Sequence, residues 1–110
     1  MVEYDDMITY EDFQKIEMRI GTIEQVSAVD NSEKLLRLVV DFGDEKRQVI
    51  SGIAKYYNEE ELQGKQFTFV TNLEPRDIMG LESQAMILAT DEETSLLCPA
   101  KKVPNGIKIR

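Results

Sequence analysis

The sequence predicts an all-β fold with minor helices, a five-stranded Greek-key barrel flanked by N- and C-terminal extensions. Three observations carry this. Five short β-prone segments recur along the 110 residues. A capped helical segment falls between the third and fourth of them. The 42% hydrophobic content suffices for one core. We expect residues 1–110 to form a single domain.

The elements follow in order. Thr9, with Asp12 three residues later, has the layout of a capping box for a short helix through Lys15, with Phe13 and Ile16 as inward anchors. Glu17–Val26 is the first strand, and its apolar phase slips near Gly21, where a bulge or barrel corner is expected. Leu35–Phe42 is the second. Its residues Leu36, Leu38, Val40 and Phe42 alternate with Arg37, Val39 and Asp41. Gly43-Asp44 turns the chain into a third strand, Arg47–Ser51. Asn58 and Glu61 form a second capping box, for a helix near 58–63 that Gly64 ends. Phe67–Asn72 and Met86–Thr90 complete the five strands, and Leu96–Cys98 and Ile107–Ile109 are short extended pieces beyond them. This order is that of an OB-fold, which binds ligands on its second and third strands, between the first and fourth inter-strand loops. Here those loops are Ser27–Lys34 and Leu73–Ala85, the second 13 residues long.

Composition narrows the function. Histidine is absent, which removes the commonest general base and metal ligand. The single cysteine, Cys98, has no histidine partner, is expected as a small buried hydrophobe, and fits a reducing cytoplasm. Short acidic clusters such as Glu59-Glu60-Glu61 and Asp91-Glu92-Glu93 fit solvated turns and helix starts. There is no phosphate-cradling glycine motif, and no cysteine set has metal-ligand spacing. We expect no catalytic residue, no metal and no cofactor. No long apolar run crosses a membrane, and Met1–Asp12, acidic and without a basic residue, lacks a signal-peptide layout. Net charge is −8, which repels nucleic acid at long range. The charge is uneven, however. Lys101, Lys102, Lys108 and Arg110 share the acid-free tail Pro99–Arg110. Of 13 basic residues, nine remain elsewhere against 21 acids, a net −12.

Several ordered motifs then point to a family. Asp12-Phe13-Gln14-Lys15, Met18-Arg19-Ile20-Gly21, Glu33-Lys34-Leu35-Leu36, Gln48-Val49-Ile50-Ser51-Gly52-Ile53 and Glu61-Leu62-x-Gly64-Lys65 precede a longer stretch, Asn72 to Leu88, with Ser83 and Met86 in an S-x-x-M arrangement. Together they resemble the tRNA-binding domain family from about Thr9 to Arg110. The likeness is greatest to the methionyl-tRNA synthetase C-terminal domain or beta-subunit type. The resemblance implies a non-catalytic OB-fold that homodimerises through its N- and C-terminal extensions. It also implies binding of tRNA by shape and backbone, beside a methionyl-tRNA synthetase catalytic subunit. With the family in view, the expected nucleic-acid contacts are Lys34, Asn72, Arg76, Ser83, Gln84 and Met86, and the cations Arg37, Arg47 and Lys55 are expected to extend the patch. Tyr56 and Tyr57 are expected to be partly buried, with base stacking as the alternative. Glu74, Asp77 and Met79 stand where family members commonly carry lysine or arginine, and Val29-Asp30-Asn31-Ser32 where His-Pro-Asn-Ala is common. A second branch of the fold, peptide-binding secretion chaperones of the CsaA type, is the alternative. Its endings resemble Val103-Pro104-Asn105-Gly106.

Overall fold

One strand, β1 (Met18–Ala28), is long enough to serve several partners, and the barrel is built around it. The computed structural model describes residues 6–110. Residues 1–5, the start of the N-terminal extension assigned above to dimerisation, lie outside the described residues. The other elements are α1 (Tyr10–Gln14), β2 (Leu36–Asp41), β3 (Lys46–Ser51), α2 (Glu59–Leu62), β4 (Gln66–Val70), β5 (Arg76–Ile78), β6 (Leu81–Ser83) and β7 (Met86–Ile87). The main sheet is antiparallel with strand order β3-β2-β1-β4-β7, a nearly closed, barrel-shaped OB-type sheet. Among the described residues, no helix is long and apolar enough to cross a membrane.

β1 pairs with β4 through Met18–Thr22 and with β2 through Thr22–Ala28. The irregularity expected at Gly21 falls instead between Ile23 and Gln25, so Glu24 is the bulged residue. Gly21 is small for a different reason. A Cβ there would lie 2.6 Å from Val40 Cγ1 and 2.8 Å from Phe42 Cε1, inside the core. The alternation of β2 holds: Leu38, Val40 and Phe42 are fully buried with Ile23, Val49 and Phe69. Phe42 and Phe69 meet edge to face at 5.4 Å.

Both capping boxes form. Asp12 N donates to Thr9 Oγ1 and Glu61 N to Asn58 Oδ1, with the reciprocal bonds also present. The inward anchors of α1 are weaker than expected. Phe13 is only partly covered and Ile16 is 45% exposed, because the five-residue helix sits on the barrel's rim rather than over its core. Cys98 is exposed, which corrects its assignment as a buried hydrophobe. Leu96 supplies the inward side chain of that segment.

The C-terminal extension docks on its own barrel. β2 leaves the first half of β1 without a partner on one edge, and residues 106–109 fill it. Ile20 N donates to Ile107 O, Gly106 N to Ile20 O and Ile109 N to Met18 O. The backbone of the tail is thereby satisfied by β1, while the side chains of Ile107 and Ile109 stay 44% and 36% exposed.

Candidate nucleic-acid interface

The segment expected as a 13-residue loop contains a hairpin. β5 and β6 pair Arg76 with Ser83, Asp77 with Glu82 and Ile78 with Leu81. Their two-residue turn, Met79-Gly80, has φ of 53° and 82°. Positive φ at both positions is the type I′ pattern that matches strand twist. Asp77 Oδ1 accepts from Gly80 N at 2.8 Å and holds the turn.

Cross-strand neighbours share a face, so Arg76 and Ile78 point to the same side as Ser83 and Leu81. That side meets β3. Ser83 is buried; its Oγ accepts from Ile50 N at 3.0 Å and donates to Ala85 O at 3.1 Å. Gln84 N donates to Gln48 O at 2.8 Å, and Gln84 Oε1 accepts from Gln48 N at 2.9 Å. The Ser83 and Gln84 side chains thus complete the barrel between β3 and β7, where no regular ladder runs. Above this seam lies a small cleft of about 90 Å³, with Arg76, Leu73, Ile78 and Met86 around it. Leu73 and Met86 are 49% and 45% exposed, an apolar ledge around the same cleft as Arg76. The opposite face carries Asp77 directly across from Glu82, two like charges in one register.

The nine residues expected as contacts divide into two groups. Lys34, Lys55 and Arg76 are exposed and form no ion pair with another described residue. They gather at one end of the barrel. Ala54 N donates to Lys34 O, Leu36 is the register partner of Ser51, and Ser51 lines the cleft beside Arg76. Met86 joins them through its exposed side chain.

The polar groups of the others are engaged within the chain. Arg37 Nε donates to Gln48 Oε1, and Gln48 Nε2 donates to Glu82 O, a relay from β2 to the hairpin. Asn72 accepts from Glu17 N and donates to Lys15 O, which ties the approach to the hairpin to the α1–β1 junction. Arg47 donates to the carbonyls of Thr71 and Gln84 and, through Nε and Nη2, to Glu45. The hydrogen bond from Arg47 holds the Glu45 carboxyl below its usual range, and the same contact raises Arg47 against the cost of its burial. The Arg47 guanidinium also lies over the Phe42 ring, 5.8 Å from its centroid, and that of Arg19 lies 5.4 Å from the same centroid.

Tyr57 is partly buried, its hydroxyl accepting from Leu96 N, whereas Tyr56 is 56% exposed, contrary to its expected partial burial. Leu73 was not among the expected contacts. Its only signal in the sequence is an apolar residue inside a polar stretch. Chemically, the arrangement offers cations for phosphates and an apolar ledge for a base or ribose.

Comparisons with known proteins show the family. Residues 18–108 match the family model described as "Putative tRNA binding domain". The chain is 50% identical over 103 residues to a methionine–tRNA ligase of Methanospirillum hungatei, covering 94% of this chain and 16% of that protein. It is 44% identical over 110 residues to that of Archaeoglobus fulgidus, covering 98% and 17%. The chain therefore spans about one sixth of the length of these relatives. Among solved structures, a MetRS-related protein from Pyrococcus horikoshii superimposes with a TM-score of 0.85 at 34% identity, covering 96% of this chain and 99% of that one. The chaperone CsaA of Bacillus anthracis does so with a TM-score of 0.87 at 33% identity, covering 94% and 99%. With its barrel, its hairpin and nearly all of its tail inside the matched region, the chain belongs to the tRNA-binding domain family.

Proposed function

We propose that this chain is a non-catalytic tRNA-binding module that raises the tRNA affinity of a methionyl-tRNA synthetase, either as a C-terminal domain or as a separate cytoplasmic subunit. The observation that carries the reading is the family match over residues 18–108, a region that includes the hairpin and Arg76, which forms no ion pair with another described residue. Lys34, Lys55 and Arg76 bind phosphates, while Met86 and Leu73 make apolar contacts to base or ribose. Ser83, Gln84, Asn72, Arg37 and Arg47 serve the same site by fixing the hairpin. Folded RNA suits such a surface, because its shape and backbone can be read without base-specific contacts.

The module acts as a symmetric homodimer. Tyr10, Ile16 and Ile109, from the N- and C-terminal extensions, line one surface recess and are 68%, 45% and 36% exposed. Two copies covering this patch would obey two-fold self-complementarity and pair two weak RNA sites. The Tyr10→Asp, Ile109→Asp variant should be monomeric by light scattering. A dimer that persists would overturn this assignment.

The test of the RNA site uses the acids that stand where the family's cations are common. Glu74→Lys with Asp77→Lys should tighten tRNA binding and steepen its salt dependence. Unchanged affinity would remove the hairpin from the RNA interface. The superposition on CsaA and the acidic body favour a second reading, in which the same cleft holds an extended peptide. In that case the double variant should lose affinity for a basic peptide and gain none for tRNA.

A further inference from the structure

A further recess lies away from the hairpin. It is a groove of about 800 Å³ between the start of β4 and the returning segment 98–105. Gln66, at its floor, lies four residues before Val70, the end of β4 from which the chain runs on to the hairpin. At strand rise this is about 13 Å along the barrel. The floor is rigidly built. Gln66 Nε2 donates to Val103 O and Asn105 Oδ1, Gln66 Oε1 accepts from Val103 N, and Thr22 Oγ1 donates to Asn105 Oδ1. These bonds tie residues 103–105 to β1 and β4, so the segment that walls the groove is fixed to the barrel.

Its charge is opposite to that of the molecule. The chain carries −8, yet the ionisable groups lining the groove are Lys65, Lys101, Lys102 and the thiol of Cys98, with no carboxylate. All three lysines are exposed and form no ion pair with another described residue. Lys65 comes from the α2–β4 turn and the other two from the tail, so the cluster is assembled by the fold rather than by a run of sequence. We propose that this groove is a second RNA contact, in which Lys65, Lys101 and Lys102 bind sugar–phosphate backbone of the same folded RNA that the hairpin touches. The inference rests on the tRNA reading above. It explains how a chain whose hairpin offers Arg76 against Glu74, Asp77 and Glu82 gathers enough phosphate contacts to hold RNA.

Cys98, exposed at the groove and the sole cysteine, provides a probe that does not depend on affinity. The full chain is titrated with tRNA at two salt concentrations, and the rate of Cys98 alkylation is followed with and without tRNA. A parallel arm uses polyglutamate. The expected result is that tRNA slows alkylation and polyglutamate does not. The Lys65→Gln, Lys101→Gln, Lys102→Gln variant should lose that protection. It should also lower the slope of log affinity against log salt by about one for each phosphate contact, up to about three. If tRNA binds but Cys98 reacts at its free rate and the variant keeps the wild-type slope, the groove is not an RNA site while the tRNA reading stands. If the wild-type chain binds no tRNA, the tRNA reading itself fails and the groove assignment falls with it. Protection by polyglutamate alone would assign the groove to acidic polypeptides and overturn the RNA proposal.

Discussion

Replacing Arg47 by methionine should destabilise the protein far more than loss of one surface cation would. Its side chain is 20% exposed. It bonds two carbonyls, Thr71 O just past β4 and Gln84 O at 3.2 Å at the hairpin base, and so ties β3 to both. A hydrogen bond from a charged donor contributes about 1.5–3 kcal/mol. Two of them, taken at the lower end because the site is partly solvated, give about 3 kcal/mol. The Glu45 pair adds little, since that carboxylate is 42% exposed. For a chain of this size the loss lowers the melting temperature by about 12 °C. Thermal and urea unfolding of Arg47→Met, with Arg47→Lys beside it, provides the assay. Lysine keeps the charge but not the planar fork, so it should restore less than half of the loss. If Arg47→Met melts within about 2 °C of the wild type, or lysine restores it fully, the guanidinium does not clamp the hairpin.

Two further outcomes follow from the packing. Gly21→Ala forces a methyl against Val40 and Phe42, and overpacking of this kind costs about 1–3 kcal/mol in urea unfolding; a neutral result would show that the core yields there. Glu17 accepts from the Thr71 hydroxyl at 2.7 Å, which, with help from Lys108 and against the cost of burial, holds its carboxyl below the usual range. A depressed folded value contributes stability that is present above the unfolded value, about 4.3, and lost as pH falls through the folded one. Between pH 6 and 3 the wild type should therefore lose more stability than Glu17→Gln, and equal losses would refute the link.

The short-range features of the fold were legible in the sequence, and the long-range ones were not. Both capping boxes rest on residues three apart, and both form as expected. The alternation of β2 placed Leu38, Val40 and Phe42 in the core correctly, because a strand with one buried face must keep its register. The β5–β6 hairpin escaped detection since its strands are three residues long and its turn puts Met79, not glycine or asparagine, at positive φ. Arg47 and Ser83 have the composition of RNA contacts, but each also bonds to distant backbone, 24 and 37 residues away for Arg47 and 33 for Ser83, and only the closed barrel brings these groups together. The bulge at Glu24 and the exposed Cys98 likewise depend on which segments end up adjacent. Lys65, Lys101 and Lys102 form one cationic surface for the same reason.

RNA binding through the hairpin end of the barrel is measured by titrating labelled tRNA, duplex DNA and an unfolded polypeptide at low and moderate salt, with wild type and Arg76→Ala. Folded tRNA should bind tightest and weaken steeply with salt. Arg76→Ala should weaken all tRNAs to similar degrees and lower the salt slope by up to about one. Tighter binding of the unfolded polypeptide than of tRNA, with tRNA affinity indifferent to Arg76→Ala, would contradict RNA binding at the hairpin end.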